Sequence, residues 1–141
     1  QAAGCAPIVR AWEQGTPLVP VEAVTTEISG VQLAAPPDGS ALLVAIARTN
    51  GTACAVEDAA VYAAQARLAT EEGLLVEPAG ALSVAGLIAD VAAGRVAPDE
   101  RIVCVLTGSG FKDRAALARL AEQHAPEPPV SVAALAAALA G

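Results

Sequence analysis

Residues 101–123 read RIVCVLTGSGFKDRAALARLAEQ, an unbroken apolar run from Ile102, then the loop Thr107-Gly108-Ser109-Gly110, then a helical stretch. The run shows no polar alternation, which fits a strand covered on both faces in a parallel sheet better than a half-wet hairpin. A loop beyond the carboxyl end of such a strand and ahead of a helix lies where open α/β sheets hold their ligands. Its glycines permit close backbone approach, and Thr107 and Ser109 add two hydroxyls beside unpaired amides. The spacing matches neither a dinucleotide fingerprint nor the GxxxxGK[ST] phosphate loop. The bare pattern leaves both a ligand loop and a simple strand-to-helix turn open.

Upstream, LLVEPAGALSVAGLIADVAAG repeats the arrangement. LLVE predicts a short strand, and Pro78 suits the first turn of a helix because the amide it lacks would be unpaired there. The helix, from about Ala79 to Ala93, is apolar nearly all round, the mark of a central helix packed on several sides. Gly80, Ser83 and Gly86 would admit neighbouring backbone. Glu77 stands at the strand-to-helix junction, where its carboxylate can face the same crevice as the TGSG loop or pair with the amides of its own helix.

The alternation extends back to Ser40. EDAAVYAAQARLATEEG predicts a helix with acids in its first turn and Gly73 at its stop, and TACAV predicts a strand. SALLVAIARTNG predicts a helix capped by Asp38 or Ser40 and ended at Asn50-Gly51. Before these, APIVRAW is helix-like, QGTPLVP is turn-rich, and AVTTEISGVQLAAPPDGS reads as short strand and irregular loop. After them the chain breaks at HAPEPP, and VSVAALAAALAG predicts a short terminal helix capped by Ser131. The expected organisation is an α/β layer unit over residues 1–124, then a proline-rich exit and short helix over 125–141.

The chain has 141 residues, 55% hydrophobic and 16% charged, enough for a packed core and unlike a disordered segment. Eight basic against fifteen acidic residues give a net charge of -7, with no basic cluster, which argues against a nucleic-acid surface. Cys5, Cys54 and Cys104 lack ligand spacing and are odd in number, so neither a disulfide framework nor a metal site is expected. The longest apolar run is interrupted by Glu77 and Asp90, so no membrane span is expected. Lys112 is the only lysine. A Schiff-base enzyme needs such an amine, but Lys112 follows the glycine loop beside Asp113 and Arg114 and reads as a structural or surface residue.

Three stretches, QAAGCAPIVRAW, EEGLLVEPAGALSVAGL and VCVLTGSGFKD, resemble, in this order and separation, the threonine synthase branch of the fold-type II pyridoxal-phosphate enzymes, the tryptophan synthase β superfamily. Weaker agreement runs through ALLVAIARTNGTACAVEDAA. The resemblance implies an α/β fold, a partial three-layer open sheet of that superfamily's type, with residues 1–124 as the C-terminal portion of its large domain. It also implies a cytoplasmic enzyme, commonly a dimer, that uses pyridoxal 5'-phosphate between two α/β domains on a small amino-acid substrate. The reaction implied is conversion of O-phosphohomoserine and water to threonine and phosphate.

Motif to motif, the resemblance puts the Thr107 hydroxyl against the pyridine nitrogen, Gly108, Ser109 and Gly110 along the adjoining wall, Glu77 close to the ring, and Gly30 in the loop lining the crevice. The family's Schiff-base lysine, in an SFKD-type motif, and its phosphate-cradling loop both lie upstream of the matching stretch. Catalysis, and binding of the cofactor, are therefore expected to require a complementary N-terminal portion or chain. Where the family has a GNP-type stretch this chain reads QLAAPPDGS, which keeps a threonine/serine dehydratase-like ammonia-lyase open. A noncatalytic α/β partner domain is the reading from another class.

Overall fold

The computed structural model describes residues 1–124 and 131–140. Six helices occur in them: α1 (Pro7–Gln14), α2 (Gly39–Arg48), α3 (Asp58–Glu71), α4 (Pro78–Ala92), α5 (Arg114–Gln123) and α6 (Val132–Leu139). Single 3-10 turns stand at Ala3–Cys5 and Gly110–Lys112. The proline-rich exit read from HAPEPP falls outside the described residues from 125 onward.

Helix boundaries follow local chemistry. Pro7 and Pro78 open α1 and α4, where a missing amide costs nothing. The Gln1 side-chain carbonyl accepts hydrogen bonds from the amides of Ile8 and Val9 at 2.9 and 3.2 Å, satisfying two donors that α1 cannot pair internally. Asp113 and Ser131 cap α5 and α6 through side-chain oxygens. Asp38 occupies the N-cap position of α2 without a side-chain bond to it, so the predicted cap is present in place and not in chemistry. Asn50 ends α2 in the left-handed region at φ 51°, a conformation asparagine tolerates better than most residues.

The core lies between α3 and α4. Val61, Ala64 and Leu68 line one stripe of α3, and Ala81 and Ala85 line the facing stripe of α4, with Ala2, Ile28, Val56 and Val76 closing the cluster. Alanines in α4 let the two helices approach closely, and the branched side chains of α3 fill the seam, each contributing about 1.5–3 kcal/mol when fully buried. Gln65 is buried in the same seam, and its amide donates to the Val76 carbonyl at 2.8 Å, so the polar group costs little. Toward its C-terminal end α4 is not enclosed: Ile88 and Val91 are exposed, so the helix is covered less fully than its composition predicts.

Among the described residues the predicted strands TACAV, LLVE and RIVCVLTG form no ladder. Two isolated bridges touch them, Val56 of TACAV to Ala2 in parallel and Val76 of LLVE to Ser109 in antiparallel sense. A strand needs at least one neighbour to pair its amides and carbonyls in a ladder. Val103 and Val105 are instead 88% and 68% exposed, an apolar edge without a covering layer. None of the described helices is long and apolar enough to cross a membrane.

Candidate functional site

The two strand-to-helix junctions singled out in the sequence meet in space. Glu77 stands at the N-cap position of α4, yet its side chain makes no hydrogen bond to that helix. It crosses instead to the neighbouring loop, so it does not cap its own helix. The Glu77 amide donates to the Gly108 carbonyl at 3.3 Å, and the Gly110 amide donates to the Leu75 carbonyl at 3.1 Å. The Glu77 carboxylate lies against the Gly108 α-carbon, where an added β-carbon would overlap Oε1. Its Oε1 is 3.1 Å from Lys112 Nζ.

Glycine is demanded twice here. Gly108 has φ 66°, a left-handed conformation costly to any residue with a β-carbon. Gly80, on the first turn of α4, packs so closely on the Thr107 carbonyl that a β-carbon would strike the oxygen. Loop and helix terminus are thus in backbone contact, and the loop's position is set by the rigid element beneath it.

The remaining candidates gather at the same place. Ser109 accepts the Phe111 amide through its hydroxyl at 3.4 Å, capping the short turn that delivers Lys112. Thr107 is exposed at the lip. Gly30, at φ 84°, lies over Ala79, with an added β-carbon 3.7 Å from that of Ala79. Beside it the Ser29 hydroxyl donates to Asp113 Oδ2 at 2.9 Å, while Asp113 Oδ1 accepts the Ala116 amide at 2.9 Å. Asp113 therefore caps α5 and holds the Gly30 loop with one carboxylate. Thr107, Gly108, Ser109, Glu77 and Gly30 all fall in this cluster.

Two features escaped the sequence reading. Lys112 is 65% exposed, as a surface residue should be, but it is paired with Glu77, which is only 15% exposed. Nothing in the sequence signals that pairing, because the partners are far apart in the chain. The second is a polar network beside the cluster. Asp58 accepts the Thr26 hydroxyl at 2.6 Å and the Glu27 amide at 2.7 Å, and Arg119 reaches Glu27 at 3.3 Å while lying 4.4 Å above the Tyr62 ring. Burial, followed by the nearby carboxylates of Asp58, Glu27 and Asp113, raises the Tyr62 pKa above its ordinary value against the pull of Arg119.

A cavity of about 690 Å³ lies away from this cluster, between α2, α4 and residues 102–104, with Leu42, Ile46, Leu87 and Ile102 among its walls. It has the character of a packing face left uncovered, whereas the chemistry-bearing groups converge at residues 77 and 107–113.

A glycine loop at the end of an extended segment, braced by the carboxylate and first turn of an adjacent helix, is a ligand-facing arrangement of α/β enzymes. The chain belongs to the pyridoxal-phosphate dependent enzyme family, whose family profile matches residues 1–108. It is 42% identical over 114 residues to the threonine synthase of Methanosarcina acetivorans, covering 80% of this chain and 28% of that protein. It is 39% identical over 124 residues to the threonine synthase of Methanocaldococcus jannaschii, covering 87% of this chain and 31% of that protein. A crystal structure of a threonine deaminase from T.th. superposes with a TM-score of 0.54 and 25% identity, over 64% of this chain and 32% of the other. The chain thus spans less than a third of the length of these relatives.

Proposed function

We propose that this chain forms one wall of the cofactor site in a threonine-synthase-like enzyme that converts O-phosphohomoserine and water to threonine and phosphate. The observation that carries the reading is the convergence of Glu77 and the Thr107–Gly110 loop in a chain that resembles threonine synthases over most of its length. Pyridoxal phosphate, when bound, supplies the electron sink for the reaction.

The donor set suits the ring edge of that cofactor. Thr107 would place a neutral hydroxyl at the pyridine nitrogen, which favours an unprotonated ring nitrogen because no carboxylate is there to hold a proton. Gly108, Ser109 and Gly110 would line the adjoining wall, Glu77 would lie near the ring, and Gly30 would close the crevice from above α4. The set does not suit the cofactor's aldehyde or phosphate: the sole lysine is engaged by Glu77, and the described residues carry no second glycine loop with the phosphate-binding pattern. An upstream portion would supply both groups, and with them the strands that complete a three-layer open sheet over Val103 and Val105. The complete protein in this reading is a cytoplasmic dimer acting on a small amino-acid substrate.

Resemblance to a threonine deaminase structure favours a second reading, a threonine/serine dehydratase-like ammonia-lyase built on the same wall. The complete protein mixed with pyridoxal phosphate should develop a visible absorption band that borohydride reduces, and should release phosphate from O-phosphohomoserine. Ammonia and a 2-oxo acid formed from threonine or serine, without phosphate release, would select the second reading. Absence of any cofactor band would overturn both.

A further inference from the structure

We propose that Lys112 is a positioning residue that clasps the glycine loop by holding Glu77 across it. The inference rests on the reading of Glu77 and Thr107–Gly110 as the cofactor wall, and it gives the chain's only lysine a role that neither the sequence nor the relatives assign.

The geometry is a closed loop of contacts. Glu77 leaves the end of an extended segment, passes over the α-carbon of Gly108, and meets Lys112 Nζ at 3.1 Å. Lys112 in turn sits on the short turn Gly110–Lys112, whose start is fixed by the Gly110 amide on Leu75 and by the Ser109 hydroxyl under the Phe111 amide. The Thr107–Gly110 backbone therefore lies inside a ring closed by one ion pair. On one side Gly80 lies in backbone contact with Thr107, and the Glu77 carboxylate lies against Gly108 and reaches Lys112.

Glu77 has a competing destination. As the N-cap residue of α4 it stands at the positive end of that helix, which attracts a carboxylate, although Pro78 has no amide and the Gly80 and Ala81 amides already donate to the Glu77 carbonyl. Lys112 is the cation that draws it the other way. Among the described residues Lys112 is the cation at ion-pair distance from Glu77, while Arg119 is engaged by Glu27 and Tyr62. Without the ammonium, Glu77 can turn to its own helix, the ring opens, and Thr107 loses its fixed position at the lip. Lysine serves here through its charge and reach, so arginine should substitute.

The test uses Lys112→Met and Lys112→Arg in the complete protein, with two readouts. The first is hydrogen exchange of the 106–112 amides with cofactor removed. The second is the dissociation constant and band position of added pyridoxal phosphate. An ion pair between partly exposed groups is worth about 0.5–1 kcal/mol, or roughly two- to fivefold. Lys112→Met should therefore speed exchange over 106–112 by about two- to fivefold and weaken cofactor binding by a similar factor, with both restored by Lys112→Arg and exchange in α3 unchanged. Unchanged exchange over 106–112 in Lys112→Met overturns the clasp whatever the cofactor does. Faster exchange together with a wild-type protein that binds no pyridoxal phosphate keeps the clasp and overturns the cofactor reading instead.

Discussion

Replacing Gly108 with alanine introduces one carbon at the point where loop, carboxylate and ammonium meet, and its cost divides into two parts. The first is conformational: at φ 66° a residue with a β-carbon loses about 1–2 kcal/mol. Gly94 provides the control, since it has φ 68° with nothing within 4 Å of an added β-carbon, so Gly94→Ala carries the conformational part alone. The second part is steric. Glu77 must swing away, which forfeits its contact with Lys112, worth about 0.5 kcal/mol for so exposed a lysine, and forces repacking worth about 1 kcal/mol. Gly108→Ala should exceed Gly94→Ala by about 1.5 kcal/mol, roughly tenfold in the unfolding constant. Urea unfolding of both variants in the complete protein measures the gap, and a Glu77→Ala background should close it, because the obstructing atoms are gone. Equal destabilisation by the two substitutions, or a gap that survives Glu77→Ala, would refute the steric argument and leave only the backbone term.

Other perturbations test the remaining contacts. Gly80→Ala gains about 1 kcal/mol of helix propensity, yet its β-carbon meets the Thr107 carbonyl, so thermal unfolding should show a net loss. Asp113→Ala should cost about 1 kcal/mol through the lost cap, and Ser29→Ala should cost less and add nothing further in the Asp113→Ala background, as a double-mutant cycle would show. Tyr62, whose raised pKa means the folded state prefers the protonated phenol, contributes stability that is present below its ordinary pKa of about 10 and is lost as pH rises through the raised value. An alkaline unfolding series should therefore lose a component when Tyr62 is replaced by Phe; identical alkaline slopes would show that Tyr62 does not titrate in that range.

The helices were legible because their signals are local. Pro78 opens α4, Asp58 stands in the first turn of α3, Ser131 caps α6, and Asn50 follows α2, each a matter of a few neighbouring residues. The predicted strands form no sheet among the described residues, since TACAV and RIVCVLTG carry strand-forming residues but a ladder depends on what lies alongside. The candidate site shows the same division. Thr107–Gly110 and Glu77 announced themselves at strand-to-helix junctions, and Gly30 entered through family resemblance. The direction of the Glu77 side chain and the partner of Lys112 depend on packing between distant segments. Spacing alone could not choose between the α4 amides and the loop.

The placement of the core between α3 and α4 also bears on when the site forms. These two helices are joined by a short connection and meet through near neighbours in the chain, the kind of contact that assembles early because little loop entropy is lost. The bridges Ala2 to Val56 and Val76 to Ser109 close much longer stretches, so they are expected to form after the rate-limiting step. Substitutions at Gly108 should then leave the refolding arm of a chevron in place and speed only escape from the native state, making the loop a determinant of how long the folded site survives and not of how fast it is reached.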